Sequence, residues 1–493
     1  MKTSIIRALS LATGLTSIAT ATFSGIAGAD EGEAWFKDGA GAVAARVAAP
    51  VNTKRAKNVI LFVGDGMGIS TLTAGRILEG QLKGQTGEEN YLSFERFPYT
   101  ALVKTYNTNA QVPDSAGTAS ALNTGSKTQM GVINTNPSQP HGQCAGMMDA
   151  PLTPIAYLAE RAGMATGIVS TARLTHATPA AVYAHAPDRE WEVDSALPDE
   201  AKENGCSDIA AQILNMMDGD GLEVALGGGR RNFLPEGNGK GRRQDGRNIT
   251  DEWVNSRENA AYVKNASGLS SVDVDKTSRL LGLFDNSHMD FEAERRDKQP
   301  ELAEMTEAAI KMLQKDEDGF YLMVEAGRID HGHHAGSAYS ALHDTVALSK
   351  AVRKALEMVD LEETLILVTA DHSHVFTMAG YPKRGNPILG LVTPPWQDEL
   401  LLAEDGKPYT TLGYHNGPGA VKGEREHLTQ EKALSPEFIQ QSLIPTRSES
   451  HGGEDVALFG IGPWAHLVRG TMEQNVVFHI MNHALELDDR TQN

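Results

Sequence analysis

The sequence predicts an α/β fold with a central, mostly parallel or mixed β-sheet and helices on both of its faces. Three short apolar runs rich in branched side chains support this fold class: residues 59–63, 321–324 and 365–369. Uninterrupted apolar runs of this length are typical of buried strands in a parallel sheet. Helix-like and strand-like stretches also alternate, as in residues 155–163 followed by 166–170, which is the pattern of βα units.

Each of the three runs is followed by residues whose side chains can bind metal ions. Asp65 follows the first run, and the other two are followed by Glu325, Asp330 and His334, and by Asp371 and His372. In open α/β sheets, ligands bind just beyond the carboxyl ends of the strands, so we expect these side chains to form one shared site. Carboxylates and imidazoles together favour several metal ions with a catalytic role.

Composition limits the classes of partner. The chain has 493 residues, with 44 basic against 64 acidic side chains and a net charge of -20. Large α/β enzymes of this length often form one core with insertions. An acidic surface repels polyanions, so we expect neither nucleic acid nor an anionic membrane as a partner. An anionic substrate would then need a local cluster of metal ions or arginines.

Residues 1–29 have the pattern of a cleaved secretory signal. Two basic residues precede an uncharged stretch from residue 8 to 29, which ends in Ala-Gly-Ala. We therefore expect a periplasmic or secreted protein without a membrane anchor; a retained anchor is the alternative, although glycines make the stretch a poor spanning helix. In an oxidising compartment the only two cysteines, Cys144 and Cys206, should form a disulfide; two unpaired buried thiols are the alternative.

The rest of the chain divides by composition. Residues 30–57 are Ala-rich and helix-prone, and we predict an N-terminal arm there. The α/β core takes residues 58–379 and resumes at 451–493. Between them, residues 380–450 hold 8 of the 21 prolines and show no steady period, which predicts an irregular insertion. Residues 227–300 are rich in glycine and charge, and we expect surface excursions there.

Some of the candidate metal ligands could have other roles in the local structure. Asp65 lies in a glycine-rich turn that lacks the Lys-Ser/Thr of a P-loop and the spacing of a dinucleotide fingerprint, but an Asx-turn or helix cap is also possible. Asp330 and His334 are four residues apart and share one face of a helix, which suits a single zinc ion. His331 and His333 lie off that face and are expected to support ligands or face the substrate. His374 is expected to be structural.

The candidate nucleophile is Ser115, which opens a helix in residues 112–120. It could be a helix N-cap, or a nucleophile activated by the helix N-terminus and nearby metal ions. No Gly-x-Ser-x-Gly elbow surrounds it. Arg189 offers a guanidinium fork that matches two phosphate oxygens, with a surface salt bridge as the alternative. His451 precedes the last apolar core run, residues 456–459.

Six motifs, in order along the chain, resemble those of the alkaline phosphatase family: residues 64–68, 114–116, 175–179, 330–334, 369–373 and 451–455. The resemblance implies an exported bacterial phosphomonoesterase with animal-like motifs, a three-layer core, and a crown-like insertion at a homodimer interface. It implies two Zn2+ ions and one Mg2+ ion. It assigns the first zinc to Asp330, His334 and His451, the second to Asp65, Asp371 and His372, and the magnesium to Asp65, Thr178 and Glu325.

The resemblance also implies that Ser115 forms a phosphoserine intermediate and that Arg189 binds the phosphate. His176 and His331 stand where some bacterial members carry Asp and Lys, and are expected to lie behind the metal ligands. Cys144 and Cys206 fall where relatives carry a disulfide. The calcium site of animal members would fall near Phe284, Asp285 and Glu301, where the sequence departs from theirs, so no calcium is assigned.

Two other functions remain open from the sequence. A phosphodiesterase or sulfatase of the same superfamily would keep the metal ions, but residues 115–119 lack the Pro and Arg that follow a sulfatase nucleophile. An exported metal- or phosphate-binding protein without turnover would not need Ser115 among the ligands. Small phosphate monoesters are the expected substrates.

Overall fold

The structure is a computed structural model that describes residues 29–48, 50–216 and 219–491. The predicted signal lies outside these residues, except for Ala29, which begins a helix. That helix, α1 (Ala29–Ala48), forms in the arm that the sequence predicts to be helix-prone. It belongs to a separate unit that ends at Pro50, and its side chains from Ala34 onward are exposed.

The second unit contains all the strands of the described chain. In chain order they are β1 (Asn58–Gly64), β2 (Tyr99–Lys104), β3 (Ala165–Arg173), β4 (Val224–Gly228), β5 (Ala261–Val263), β6 (Leu280–Leu283), β7 (Phe320–Ala326), β8 (Thr364–Ala370), β9 (Ser373–His374), β10 (Phe376–Met378), β11 (Leu412–Gly417), β12 (Ser442–Pro445), β13 (His451–Gly452), β14 (Val456–Ile461) and β15 (Gly470–Glu473). Ten of them form one sheet in the order β15-β2-β14-β8-β1-β7-β3-β4-β6-β5.

The three predicted strands are confirmed and lie side by side. β1 pairs in parallel with β7 on one side and with β8 on the other. Val63 is in register with Glu325 of β7, and Gly64 with Ala370 of β8. All residues of β7 and β8 are buried, as expected for strands covered on both faces. Their carboxyl ends therefore meet at one edge of the sheet.

The whole sheet is mixed, as the sequence predicts. β3, β4, β6 and β5 continue it in parallel beyond β7. On the other side, β14 runs antiparallel to both β8 and β2. The prediction that residues 227–300 form surface excursions is wrong for β5 and β6, which lie in this segment and join the sheet. The run 280–283 is fully buried, but it is too short to stand out among the polar residues around it.

Helices flank the sheet in two groups. In chain order after α1 the helices are α2 (Ile69–Leu82), α3 (Ser115–Thr124), α4 (Ile155–Arg161), α5 (Ala177–Tyr183), α6 (Asp199–Glu203), α7 (Ile209–Gln212), α8 (Arg230–Phe233), α9 (Ile249–Ser256), α10 (Ala266–Ser270), α11 (Leu302–Leu313), α12 (Arg328–His334), α13 (Ala338–Met358), α14 (Gln430–Ala433), α15 (Val476–Leu485) and α16 (Leu487–Arg490). One group packs around α13, which contacts α2, α11 and α12, and the other joins α3, α4, α5 and α15. The predicted α/β fold class is confirmed.

The insertion is built around a small separate sheet. β11 pairs antiparallel with β10 and parallel with β12, so the segment predicted as irregular contains regular strands, and this small sheet begins before residue 380. Tyr414 of β11 is tied to the core, since its hydroxyl lies 2.8 Å from Nδ1 of His333. The two-stranded pair of β9 and β13 places His451 opposite His374.

The predicted disulfide is present. The sulfur atoms of Cys144 and Cys206 are 2.03 Å apart, and the bond closes a loop with a sequence separation of 62. Across the described ranges, no helix is both long enough and apolar enough to cross a membrane.

Candidate active site

The carboxyl ends of β1, β7 and β8 bring the predicted ligands together, as their pairing requires. Asp65 follows β1, Glu325 lies within β7, and Asp371 follows β8; all three are completely buried. Burying unpaired carboxylates is costly, so such a cluster needs positive charge to compensate it. Three groups of side chains that could each hold a cation lie at or beside these carboxylates: Asp330 with His334, His374 and His451; Asp65 with Asp371 and His372; and Asp65 with Glu325 and His176.

The first group surrounds Asp330 on α12. Oδ1 of Asp330 lies 3.3 Å from Nε2 of His334, 3.3 Å from Nε2 of His451 and 2.9 Å from Nε2 of His374. Asp330 and His334 do share one helix face, as their spacing predicts. His451 arrives from β13, whose pairing with β9 holds it beside His374.

His374 differs from the other imidazoles of this group. Its Nδ1 lies 2.5 Å from Oε2 of Glu449, and its Nε2 bonds Asp330. Burial would lower the pKa of His374, but the hydrogen bonds to Asp330 and Glu449 outweigh it and raise this pKa to about 9. His374 thus holds Asp330 in place through a hydrogen bond, and it also belongs to the side chains of this group that could hold a metal ion.

The second group is Asp65, Asp371 and His372. Nε2 of His372 lies 3.3 Å from Oδ1 of Asp65 and 3.5 Å from Oδ2 of Asp371. The backbone N–H groups of Gly66 and His372 both donate to Oδ1 of Asp371. Gly66 has a φ of 71°, and a Cβ there would come within 2.4 Å of the His374 ring, so the turn needs glycine. Burial, reinforced by Asp371, raises the pKa of Asp65 well above its usual value, and a bound cation would reverse this.

The third group joins His176 with Asp65 and Glu325, which are two of the three oxygen ligands predicted for the magnesium. Oδ2 of Asp65, Oγ1 of Thr178 and Oε1 of Glu325 are buried and have no hydrogen-bond partner among the described residues. The other oxygen of Glu325 accepts a hydrogen bond from Ser170. Burial raises the pKa of Glu325 to about 7. Orphaned oxygens of this kind fit a hard cation such as Mg2+, whereas the imidazoles of the first two groups fit Zn2+.

Ser115 faces the second group. Its Oγ lies 3.1 Å from Nε2 of His372 and 3.5 Å from Oδ1 of Asp65. The reading of Ser115 as the helix N-cap is wrong, because the N-cap of α3 is Asp114, whose side chain accepts from the backbone N–H of Gly117. Asp114 stands one position before Ser115, and Asp is among the preferred N-cap residues. The sequence alone therefore favoured Asp114 as the cap. The hydroxyl of Ser115 therefore does not cap the helix but contacts His372 and Asp65.

Arg189 is fixed beside Ser115. Its Nη1 donates to Oδ2 of Asp114 at 2.9 Å, and its Nη2 lies 3.1 Å from Nε2 of His176. The backbone N–H of Gly131 donates to the other oxygen of Asp114. The side chain of Arg189 is only 18% exposed, so this is not the surface salt bridge that the sequence left open. One carboxylate therefore connects the helix of Ser115 with the guanidinium.

Three histidines form a cluster, and one of them, His176, contacts Arg189. The His176 ring centroid is 5.5 Å from that of His331 and 5.2 Å from that of His288, and the His288 and His331 centroids are 4.1 Å apart. His176 and His331 thus lie together near the ligands, as expected. His333 does not face a substrate, because it is fully buried and bonds Thr71 and Tyr414.

Sequence reasoning missed three residues of this site. His288 and Glu449 belong to no recognisable motif, although Glu449 stands two positions before His451. Thr118, one turn after Ser115, donates from Oγ1 to Oδ2 of Asp371 at 3.2 Å. Thr118 lies three residues after Ser115 on the same helix, so the two side chains share one face. This spacing could have identified Thr118 from the sequence.

Two of the residues near the unassigned calcium position, Asp285 and Glu301, form hydrogen bonds and ion pairs with neighbouring side chains. Oδ2 of Asp285 accepts from Nη2 of Arg296 and from Nε2 of Gln299, both at 3.0 Å. Glu301 caps α11 and pairs with Arg295 at 3.0 Å. Asp285 and Glu301 are thus each paired with a guanidinium.

Comparisons with known proteins show what this chain is similar to. The family model described as alkaline phosphatase matches residues 56–487. The tissue-nonspecific isozyme of alkaline phosphatase from Gallus gallus is 46% identical over 451 residues, covering 88% of this chain and 85% of that protein. Alkaline phosphatase from Gadus morhua is 44% identical over 450 residues, with coverages of 88% and 92%.

Solved structures give the same result. The crystal structure of Thermus thermophilus alkaline phosphatase matches with a TM-score of 0.63 and 26% identity, covering 89% of this chain and 93% of that one. The alkaline phosphatase of the Antarctic bacterium TAB5 matches with a TM-score of 0.61 and 23% identity, covering 88% and 99%. The second likeness concerns the fold alone.

Proposed function

Because this chain belongs to the alkaline phosphatase family, and is thus a metal-dependent phosphomonoesterase, we propose that it hydrolyses phosphate monoesters through a phosphoserine on Ser115. The observation that carries this proposal is the position of Ser115 Oγ, 3.1 Å from His372 and 3.5 Å from Asp65. A buried hydroxyl at a helix N-terminus, facing a cluster of cation ligands, has the surroundings of an activated nucleophile.

The donor chemistry supports two Zn2+ ions and one Mg2+ ion. Asp330, His334 and His451 would hold the first zinc, Asp65, Asp371 and His372 the second, and Asp65, Thr178 and Glu325 the magnesium. Bound there, these ions would supply positive charge for the attacking and leaving oxygens of an in-line displacement. His374 and Glu449 keep Asp330 ionised and oriented, and His176 and His331 lie behind the ligands.

In the first step the Oγ of Ser115 attacks phosphorus. The bond between Oγ and phosphorus forms while the ester bond to the leaving oxygen breaks, and the serine proton ends on the released alcohol. In the second step water attacks the phosphoserine, which restores the serine hydroxyl and releases inorganic phosphate. Asp114 supports both steps, because it caps α3 and so fixes the position of Ser115.

Arg189 would bind the non-bridging phosphate oxygens. Its fork is held by Asp114 and His176, so little conformational entropy is lost when phosphate binds. A monoester has two charged non-bridging oxygens for this fork, whereas a diester has one. The arrangement therefore favours monoesters over the diesters or sulfate esters of related enzymes.

Export and dimerisation complete the proposal. The disulfide and the signal-like N-terminus support a periplasmic or secreted protein. A homodimer would form through residues 380–450 and the N-terminal arm. The insertion exposes several large apolar side chains, among them Tyr381, Trp396 and Leu443, which a partner subunit would cover.

The test is turnover of an aryl phosphate by the parent protein and by Ser115→Ala. We expect kcat to fall by roughly 10³-fold or more, since removal of a nucleophile abolishes the covalent route, while zinc measured by mass spectrometry stays at the parent level. Ser126→Ala, just beyond the same helix, is the control and should keep full activity. Full activity of Ser115→Ala, or faster turnover of an aryl diester or sulfate than of the monoester, would reject the proposal.

A further inference from the structure

One buried imidazole joins three segments of the chain beside the candidate active site. His333, on α12, is fully buried. Its Nε2 lies 3.0 Å from Oγ1 of Thr71 on α2, and its Nδ1 lies 2.8 Å from the hydroxyl oxygen of Tyr414 on β11. Thr71 and Tyr414 are buried as well. The two contacts therefore connect a core helix, α12 and the insertion within the protein interior.

These two contacts use the full hydrogen-bonding capacity of the ring. A neutral imidazole has one N–H donor and one acceptor nitrogen, whereas a hydroxyl can donate or accept. One of the two hydroxyls therefore donates to the ring, and the other accepts from it. Hydrogen bonds in the interior are electrostatically stronger than in water, and the loss of one partner leaves a buried polar atom unpaired. The His333 ring is thus held on both sides.

The two helices that His333 joins belong to different proposed zinc sites. Asp330 and His334 lie on α12 together with His333 and are proposed to hold the first zinc. Asp65, proposed for the second zinc, lies in the turn that leads into α2, and Thr71 is the third residue of that helix. The contact between Thr71 and His333 is therefore a bond between the segments of the two sites.

The orientation of α12 depends on tertiary contacts. The helix has seven residues, and a helix of this length is not stable by itself in water. Gly332 lies against α13, where a Cβ would come within 2.6 Å of the backbone nitrogen of Ala341. The His333 ring packs against Phe376 of β10, with centroids 4.9 Å apart. Its hydrogen bonds add direction to this packing, because they restrict both distance and angle.

The two proposed zinc sites adjoin, so their relative position matters. The rings of His372 and His451, which are proposed for different zinc ions, are stacked with centroids 3.7 Å apart. Two-metal hydrolysis requires ions about 3.5–4 Å apart. A shift of α12 against α2 would move Asp330 and His334 relative to Asp65 without removing any proposed ligand.

We propose that His333 is a positioning residue for the reaction, which fixes α12 relative to α2, and that Tyr414 of the insertion fixes the His333 ring. The inference rests on the proposed function and gives a role to two residues that the proposed function does not use. The insertion thus contributes to the geometry of the site through Tyr414 as well as through Glu449.

The test removes one hydroxyl at a time, with Tyr414→Phe and Thr71→Val, and then both together. The conservative variant Thr71→Ser keeps the hydroxyl. The controls are Tyr157→Phe and Thr345→Val, which remove buried hydroxyls bonded to backbone oxygens elsewhere in the core. Turnover of an aryl phosphate, zinc retained in competition with a chelator, and the thermal unfolding midpoint are measured on the same samples.

Each single variant should lose about tenfold in kcat, and about tenfold in zinc retention, because the ligands of the two sites are no longer held in register. KM should stay within about twofold of the parent, since the contacts of Arg189 with Asp114 and His176 are intact. Thr71→Ser and both controls should stay within about twofold of the parent in kcat and zinc retention, even where their unfolding midpoints fall.

The double variant shows whether the two hydroxyls act through one ring. Breaking either hydrogen bond already releases the ring, so the double variant should lose about tenfold in kcat, whereas independent effects would multiply to about a hundredfold. Parent-like kcat and zinc retention in both single variants would overturn the proposal. So would a hundredfold loss in the double variant, or equal losses in the controls.

Zinc retention is measured without substrate, so it tests the position of the ligands independently of turnover. Failure of the proposed function would instead appear as a parent protein that does not hydrolyse the aryl phosphate.

Discussion

Oε2 of Glu449 lies 2.5 Å from Nδ1 of His374, and through this contact the end of the insertion reaches the candidate active site. The other nitrogen of His374 bonds Asp330 at 2.9 Å. The backbone oxygen of Glu449 also lies 2.6 Å from Nδ1 of His334. One residue at the end of the insertion therefore orients two of the three side chains proposed to hold the first zinc.

Replacing Glu449 by Gln should weaken zinc binding at that position. The neutral amide no longer stabilises the protonated His374, so Asp330 loses a cationic partner. Partners of this kind typically contribute about 10- to 100-fold to metal affinity. Zinc retained during competition with a chelator measures the effect, and Glu431→Gln, at an exposed position on α14, is the control. Identical zinc retention in the two variants would show that Glu449 has no such role.

Arg189→Ala should reduce phosphate binding. We expect inorganic phosphate to inhibit roughly 30-fold or more weakly, because the substitution removes a fork and leaves Asp114 buried without its partner. The loss in kcat/KM should be larger for a monoester than for a diester. Arg189→Lys keeps the charge but not the fork and should recover only part of the activity. Equal losses on both substrate classes would contradict the proposed discrimination.

The raised pKa of Glu325 leads to a prediction of how Mg2+ binding depends on pH. Burial raises its pKa to about 7, and a metal ligand must be ionised. Below about pH 7 protons therefore compete with the cation, so Mg2+ retention should fall as the pH is lowered, and activity should rise from neutral to alkaline pH. Mg2+ content and kcat measured over this range check it. A maximum of activity below about pH 6 would contradict the prediction.

The same carboxyl affects the metal-free protein in the opposite direction. Its folded-state pKa of about 7 is above the ordinary value of 4.5, so the folded state holds the proton more tightly than the unfolded state. Its favourable contribution to the free energy of unfolding is present below pH 4.5 and is lost as the pH rises to about 7. Glu325→Gln should reduce this pH dependence of thermal unfolding in the metal-free protein.

The proposed dimer is best tested by point substitutions, because a deletion of the insertion would also remove Glu449. Leu443 and Ile444 on β12 are 76% and 45% exposed. Leu443→Lys with Ile444→Lys should give a monomer by light scattering, since two charges cannot be buried in an apolar interface. Zinc content should not change. The control is Leu82→Lys, at a 58% exposed position on α2 outside the insertion, and this variant should stay dimeric. A parent protein that is monomeric at micromolar concentration would refute the interface.

The sequence was most informative where hydrophobic pattern and burial coincide. β1, β7 and β8 are uninterrupted apolar runs, and they could be predicted because strands buried on both faces have no polar alternation. β5 and β6 could not, since three or four residues between polar segments carry little pattern. The antiparallel direction of β14 was also not predictable, because periodicity within a strand contains no information about its neighbour.

The same limit applies to the site. The spacing of Asp330 and His334 predicts a shared helix face, because that geometry is local. The roles of Glu449 and His288 depend on contacts between segments far apart in sequence, and neither residue lies in a recognised motif. Asp114 illustrates an intermediate case, since capping chemistry alone favours it over Ser115 as the helix cap.

The Cys144–Cys206 bond has a consequence for how the protein is made. The covalent ring contains Thr178 and Arg189, whereas Ser115 lies outside it. Closing a loop with a sequence separation of 62 lowers the entropy of the unfolded chain by an amount that corresponds to roughly 4 kcal/mol. A chain synthesised in a reducing compartment would lack this constraint on the segment with Arg189, proposed to bind phosphate, and Thr178, one of three residues proposed to bind magnesium. The proposed nucleophile and the proposed imidazole ligands lie outside the ring. Under the proposed function, the redox state of the compartment therefore bears on phosphate binding by Arg189 more directly than on the position of Ser115.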